Sequence, residues 1–319
     1  MSKTSTDPSC VMSVIDGKTS WARAGDASVS RPSVTLDNSP ISHTLMAVKK
    51  ELVMRRLTLA LALLASPVSA HEFWLQPVDY SVEPDATLIV RIVNGSDYTG
   101  QSLPFLPQRI ARFDDYVNGT PTPVEGRTGD LPAVTMQATQ PGLNVLAYQA
   151  QNATVDYKDW DTFVRFTEHK DFPGILDKHR ARGFPEEAFR EVYSRYSKAL
   201  VAVGDGAGQD QRTGLETEIV ALTNPYTDDM KDGMKFQLWY GDSPRANVRF
   251  EVYDYSPAGE ITQTFLTTDD QGMVTVPVKP GYMYMADAVV IREPEAALAE
   301  ETGALWETLW ANMTWAVPG

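Results

Sequence analysis

Short runs of alternating apolar and polar residues fill residues 71–167 of this chain. Turn-forming pairs such as Asn94-Gly95 and Pro141-Gly142 separate the runs, which are "TLIVRIV" (87–93), "AVTMQAT" (133–139), "LNVLAYQAQ" (143–151) and "DTFVRFT" (161–167). A period of two is typical of strands that bury one face. The pattern therefore predicts an antiparallel β-sandwich over residues 71–167.

The pattern changes over residues 168–212. The segment "FPEEAFREVYSRYSKALVAVG" (184–204) begins with Pro185 and acidic residues and ends at Gly204, as helices often do. Its apolar residues recur three and four positions apart, which predicts one buried helical stripe: Phe189, Val192, Tyr193, Tyr196 and Leu200. We expect a helical insertion here, with Arg195 and Lys198 in polar surroundings and "GDGAGQD" (204–210) as a flexible connection.

Strand patterns return over residues 213–319. They include "LETEIVALT", "KFQLWYG", "NVRFEVYDY", "ITQTFLTTDDQGMVTVPV" and "YMYMADAVVI", and "LWETLWANMTWAV" follows a Glu-rich loop as a final strand. Asp269-Asp270-Gln271-Gly272 is typical of a tight reversal between strands. We thus expect a mainly β protein with two immunoglobulin-like or prealbumin-like sandwich regions and a helical insertion between them.

The segment before residue 71 has the features of a signal peptide. Met54-Arg55-Arg56 is basic, "LTLALALLA" is apolar but too short to span a bilayer, and Val68-Ser69-Ala70 is typical of a cleavage site. We expect residues 54–70 to be removed before His71, and the mature protein to lie in the periplasm. Residues 1–53, which contain the single cysteine, Cys10, resemble a disordered extension or a mis-assigned start.

Charge and motifs exclude several classes of function. The chain carries a net charge of −14; 8 of its 28 basic and 5 of its 42 acidic residues precede His71, which leaves −17 on residues 71–319. Nucleic acid is an unsuitable partner because a phosphate backbone requires a basic surface. The sequence has no His-Glu-x-x-His metalloprotease motif, no Gly-x-Ser-x-Gly elbow, and no dinucleotide or phosphate-binding glycine motif.

Metal binding is the chemistry that the remaining residues favour. After cleavage, His71 would offer its α-amine and imidazole Nδ1 to one ion, and imidazole suits nickel, copper and zinc. Strand alternation turns Glu72 away from His71, so Glu72 joins such a site only if the chain bends at its end. His169 and His179, ten residues apart, are further candidates, although a solvated position in a charged segment is the alternative for each.

Several motifs resemble those of a bacterial family of exported proteins, often labelled periplasmic components of cobalt and nickel transport. The motifs occur in the same order over residues 54–319: "AHEFWLQP", "PGLNVLAYQ", "YSRYSKALVAVG", "EIVALTNPY", "TTDDQGMVTVPV" and "LWETLWANMTW". The family begins its mature chain with His, an acidic residue, Phe and Trp, which correspond to His71, Glu72, Phe73 and Trp74. Neither His169 nor His179 matches a family pattern.

The resemblance implies a periplasmic β-sandwich protein that binds a divalent transition metal for uptake. Nickel or cobalt is the implied ion, copper and zinc are open alternatives, and a membrane metal transporter is the implied partner. Two other functions stay open from the residues. One is a copper-dependent oxidative enzyme that uses an N-terminal histidine chelate, and the other is a metal-free carbohydrate-binding or structural sandwich.

Overall fold

Strands dominate residues 71–319, which are the residues that this computed structural model describes. Eighteen strands, numbered β1 to β18 in chain order, and three α-helices lie in this part of the chain. The prediction of a mainly β protein is therefore confirmed. The proposed extension over residues 1–53, with Cys10, and the proposed signal peptide over residues 54–70 lie outside the described residues.

A ten-stranded sheet forms the centre of the described part. Eight strands follow one another across it: β15 (Ile261–Thr267), β14 (Arg249–Tyr255), β17 (Met283–Arg292), β18 (Ala304–Ala316), β10 (Phe189–Val203), β8 (Gly142–Ala150), β5 (Ile110–Val117) and β6 (Thr120–Pro123). Two further strands pair with β10, namely β2 (Ser81–Val82) and β9 (Ala153–Tyr157). Neighbours along the eight-strand path are antiparallel except for β10 and β18, which are parallel. Strands from both predicted sandwich regions thus share one sheet.

Two four-stranded sheets cover opposite faces of the central sheet. The first contains β1 (Glu72–Pro77), β3 (Thr87–Ser96), β4 (Thr99–Leu103) and β7 (Val134–Gln137). The second contains β11 (Thr217–Ala221), β12 (Met234–Tyr240), β13 (Ser243–Pro244) and β16 (Met273–Val276). Successive residues of β10 face the two small sheets in turn. Ala199 and Val201 lie in the hydrophobic core shared with the first sheet, and Leu200 lies in the core shared with the second.

Helix α1 (Trp160–His169) and helix α2 (Ile175–Ala181) follow β9. The carboxylate of Asp159 accepts a hydrogen bond from the backbone N–H of Thr162, which caps the start of α1. Phe163 and Phe166 bury one face of α1 against aromatic side chains of the central sheet. The prediction of a strand over residues 161–167 is therefore wrong. Phe163 and Phe166 are three residues apart, which places both side chains on one face of a helix.

The prediction of a helix over residues 185–203 is also wrong, because Phe189–Val203 form the strand β10. Side chains on both faces of β10 are buried, so the strand lacks the alternation that marks a half-exposed strand. Tyr196 and Leu200 of the proposed stripe are buried as expected, but in a sheet. Lys198 has the polar surroundings predicted for it, because its ammonium group contacts Asp210 and Glu218, but these surroundings are buried.

The two segments predicted as loops, 204–210 and the Glu-rich loop, have regular contacts or structure. Asn224 donates hydrogen bonds from Nδ2 to the carbonyl oxygens of Gly206 and Gly208, and the N–H of Leu143 donates to the carbonyl of Ala207. The Glu-rich loop contains helix α3 (Ala296–Thr302). None of the three helices in residues 71–319 has the length and apolar content needed to cross a bilayer.

Candidate metal centre

A buried lysine lies among three carboxylates where β1, α1 and the central sheet meet. The Nζ atom of Lys170 is 3.3 Å from Glu72 Oε1, 2.8 Å from Glu251 Oε2 and 2.9 Å from Asp287 Oδ2. Glu251 and Asp287 are paired directly across β14 and β17, which places both side chains on one face of the sheet. Glu72 is the first residue of β1, and Lys170 directly follows α1.

His169 lies next to this cluster on the solvent side. Its Nε2 atom is 3.4 Å from Glu251 Oε2, and its side chain is 41% exposed. One ligand atom from each of Glu72, His169 and Glu251 can be chosen so that all three lie within 4.8 Å of one another. The end of α1 therefore supplies two neighbouring residues to the site, one buried cation and one accessible imidazole.

The cluster contains more negative than positive charge. Three carboxylates surround the single ammonium group of Lys170, and all four side chains are no more than 4% exposed. Within the described residues, Glu72 Oε2 and Asp287 Oδ1 are buried without a hydrogen-bond partner. Such atoms are costly to bury, so a ligand that coordinates them would stabilise the site.

The pKa values of the cluster are consistent with an excess of carboxylates over cationic groups. Burial disfavours the charged form of Lys170, but Asp287, Glu251 and Glu72 outweigh burial and raise the pKa of Lys170 above its usual value. Burial raises the pKa of Asp287 to about 7, although Lys170 acts in the opposite direction. Burial also opposes the charged form of Glu251, yet His169 and Lys170 together lower its pKa. The cluster thus favours an additional cation over an additional anion.

Glu72, His169 and Glu251 are residues of the types that could hold a divalent metal ion. Two carboxylates and an imidazole are common zinc ligands, at about 2.0–2.2 Å from the ion. Two ligands at about 2.1 Å in a tetrahedral arrangement are about 3.4 Å apart, which is the separation of His169 Nε2 and Glu251 Oε2. Glu72, whose Oε2 atom is buried without a hydrogen-bond partner among the described residues, belongs to the same group of three residues.

His71 lies outside β1, one residue before Glu72, and its side chain is exposed. The carbonyl oxygen of His71 accepts a hydrogen bond of 2.6 Å from Nη1 of Arg195. Because the strand begins at Glu72, the alternation of β1 does not fix the direction of the His71 side chain. Within residues 71–319, the side chains placed so that they could hold one metal ion are those of Glu72, His169 and Glu251, and His71 is not among them.

His179 lies elsewhere, fully buried in the core between α2 and the central sheet. Its Nε2 atom is 2.9 Å from the carbonyl oxygen of Pro185, and its Nδ1 atom is 2.9 Å from Nε1 of Trp306. Both ring nitrogens therefore have protein partners. The structure brings Glu72 and His169 together and places His179 apart from them.

Three members of the cluster are absent from the residues that the sequence singled out: Lys170, Glu251 and Asp287. A signal for two of them exists in the strand pattern. Glu251 and Asp287 each interrupt an apolar run, in "RFEVYDY" and "MYMADAVVI", at positions that are buried. A carboxylate at a buried strand position requires a partner, but the pattern alone does not identify that partner.

Comparison with known proteins gives a family without an assigned activity. The model of a family described as "Domain of unknown function (DUF4198)" matches residues 68–292. Among curated proteins, none matches this chain.

Proposed function

This chain belongs to the DUF4198 family of domains of unknown function, and we propose that it binds a divalent transition-metal ion at the Glu72–His169–Glu251 site. The observation that carries the proposal is the convergence of these three side chains, with ligand atoms within 4.8 Å of one another. The three residues come from β1, the end of α1 and β14. The fold therefore joins them from distant parts of the sequence.

Charge supports a cation at this position. A divalent ion would offset the excess of carboxylates over the one ammonium group of Lys170. Lys170 Nζ and the metal would compete for Glu251 Oε2. Lys170 would then act as an internal counter-ion that keeps the site folded without metal and lowers metal affinity.

His71 is the second element of the proposal. If a signal peptide is removed before His71, the new α-amine and the imidazole become available one residue from Glu72. An α-amine has an ordinary pKa of about 7.7–8.0, so it can lose its proton to a metal near neutral pH. We infer that the mature protein is periplasmic and that His71 adds nitrogen ligands to the site.

The family resemblance supplies the physiological context. We infer nickel or cobalt as the ion and a membrane metal transporter as the partner, because the resembling proteins are labelled in this way. Copper and zinc suit the same nitrogen and oxygen donors. We also infer that each small sheet and the part of the central sheet it covers correspond to an immunoglobulin-like or prealbumin-like sandwich.

Calorimetric titration of the metal-free protein with NiCl₂, CoCl₂, ZnCl₂ and CuSO₄ tests the site. Glu251→Gln and His169→Ala should each weaken binding at least about tenfold, since even residues that only support metal ligands cost about that much. Glu260→Gln, an exposed carboxylate in the turn after β14, should leave affinity unchanged. Equal affinity for the wild type and for both site variants would refute the proposal.

Lys170 gives a test of opposite sign. Lys170→Gln removes the competing ammonium group and should tighten metal binding, while it destabilises the metal-free protein because three carboxylates lose their counter-ion. The metal should therefore raise the unfolding temperature of Lys170→Gln more than that of the wild type. An equal or smaller rise would contradict competition between the lysine and the ion.

Processing is tested by the intact mass of material recovered from the periplasm, which should begin at His71. On that mature form, His71→Ala removes the ring, and one extra Gly before His71 converts the amine into an amide. Both changes should weaken metal binding if His71 is a ligand. If neither does so while Glu251→Gln still does, the metal site lacks the N-terminal residue.

A further inference from the structure

A second recess lies beside the first sheet, close to the metal centre but with different chemistry. It is a cavity of about 560 Å³, and ligand pockets commonly measure about 300–1,000 Å³. Phe73, which follows the metal-site residue Glu72, forms part of its wall. The cavity thus lies beside the strand that carries Glu72, and its lining does not include Glu72, His169 or Glu251.

The wall of the cavity is mainly apolar. Phe73 and Tyr148 lie side by side with ring centroids 5.0 Å apart, and Ile92, Leu103 and Ile110 contribute aliphatic surface. Four residues with amide side chains also line it, Asn94, Gln108, Gln151 and Asn152. An apolar wall with a few polar groups is the usual composition of a small-molecule pocket.

Both charged residues of the wall are arginines. Arg109 and Arg195 line the cavity, and no Asp or Glu is found among the described residues that line it. This composition is unusual for the chain, because residues 71–319 contain 37 acidic and 20 basic side chains. The cavity wall itself is therefore cationic and favours an anionic ligand, while the nearest carboxylates that act on Arg195, those of Asp287 and Glu72, lie behind the wall.

Arg195 is held in place by its neighbours. The guanidinium group lies 4.9 Å from the ring centroid of Tyr193, 5.7 Å from that of Phe73 and 5.4 Å from that of Trp310. Its Nη1 atom donates a hydrogen bond to the carbonyl oxygen of His71. A guanidinium with fixed orientation can bind a carboxylate through two parallel hydrogen bonds.

We propose that this cavity binds a small organic carboxylate with an apolar or aromatic body. The carboxylate would contact Arg195 and Arg109, and the body would lie against Phe73, Tyr148 and Ile92. The site goes beyond the proposed metal function and does not depend on it, since the two arginines would bind the anion whether or not a metal is present.

Titration of the metal-free protein with 3-phenylpropionate tests this site, in buffer treated to remove metal ions. We expect saturable binding with one ligand per chain, and at least about tenfold weaker binding of 3-phenylpropionamide, because the neutral amide lacks the charge-assisted hydrogen bonds. Metal-free conditions separate this test from that of the metal centre. Equal binding of acid and amide would overturn the proposal, as would no binding of the acid at millimolar concentrations.

Substitutions locate the site. Arg109→Gln changes an exposed side chain, so it should weaken binding of 3-phenylpropionate without disturbing the fold, and Arg195→Gln should weaken binding at least about tenfold. Arg91→Gln is the matched control, because Arg91 is exposed on β3 outside the cavity wall. Unchanged binding by both cavity variants would refute the assignment. Saturable binding of cellobiose that ignores both arginines would favour a carbohydrate site instead.

Discussion

The indole Nε1 of Trp306 donates a hydrogen bond to Nδ1 of His179 over 2.9 Å, within a core where His179 is fully buried. Because Nδ1 accepts this bond, the proton of the neutral ring lies on Nε2. That proton points to the carbonyl oxygen of Pro185, 2.9 Å away. His179 therefore connects the segment after α2 to strand β18 and has no free nitrogen for a metal.

His179→Ala should lower the free energy of unfolding by about 3 kcal/mol, because it opens a cavity and leaves the Trp306 N–H without its acceptor. Urea unfolding measures this loss, and metal titration should show unchanged stoichiometry. His169→Ala is the matched control, with a half-exposed ring. His169→Ala should cost less than about 1 kcal/mol, as is usual for an exposed side chain, and should weaken metal binding. Loss of metal by a folded His179→Ala protein would contradict this assignment.

A second prediction concerns the buried ion pairs of Lys198. Its Nζ atom is 2.7 Å from Asp210 Oδ1 and 3.1 Å from Glu218 Oε1, and none of the three side chains is more than 1% exposed. Lys198→Met leaves two buried carboxylates without a counter-ion and should cost about 3–5 kcal/mol in urea unfolding.

Two further variants test this explanation. Lys235→Met removes an exposed lysine on β12 and should cost less than about 0.5 kcal/mol. Asp210→Asn in the Lys198→Met background removes one unpaired charge and should recover part of the loss. If Lys198→Met were no more destabilising than Lys235→Met, the ion pairs would have no structural role.

Strand β10 shows where inference from the sequence ends. Tyr196 and Leu200 are four residues apart and Phe189 and Val192 are three apart, and all four are buried as predicted. Burial could be predicted because apolar side chains leave water in any regular structure. The structure type could not, because a strand covered on both faces has apolar residues at every spacing, including that of a helix.

The candidate metal centre shows a different limit. His169 and Glu72 could be singled out by residue type, and the structure brings them together. Their companions Glu251 and Asp287 could not, because the site depends on strand pairing between distant segments. Glu72 and Glu251 are far apart in sequence, and β14 pairs with β17 only in the folded sheet. Local pattern contains no information on such long-range pairing.

Tyr196 gives a third prediction, which separates burial of the ring from the hydrogen bond of its hydroxyl. The ring is 3% exposed, and the hydroxyl donates to Glu216 Oε2 over 3.2 Å. Tyr196→Ala should lower the free energy of unfolding by about 3–5 kcal/mol, whereas Tyr196→Phe should lower it by about 1 kcal/mol. Equal losses in the two variants would show that the hydroxyl, and not the ring, stabilises this part of the sheet.

The last prediction rests on Glu191, a carboxylate that is 2% exposed and has hydroxyl groups as partners. Tyr157 Oη donates to its Oε2 over 3.0 Å, and Thr308 Oγ1 donates to its Oε1 over 2.5 Å. Burial raises the pKa of Glu191 from 4.5 to about 7, although both hydroxyl bonds act in the opposite direction. The folded protein thus holds a proton on Glu191 over a pH range in which the unfolded chain has lost it.

Because the folded state binds this extra proton, stability must fall as the pH rises from about 4.5 to about 7, and the full effect of Glu191 is about 3 kcal/mol. Glu191→Gln has a side chain of similar shape that is neutral at every pH. Over this pH range the wild type should therefore lose stability relative to the Glu191→Gln variant. Asp287, whose pKa is also raised to about 7, contributes to both proteins and cancels in the difference. Urea unfolding of both proteins at pH 5 and pH 8 measures the difference in unfolding free energy between them. A difference that stays constant between these pH values would mean that Glu191 is ionised in the folded protein, with its carboxylate stabilised by the two hydroxyl groups and by the charge of Arg195.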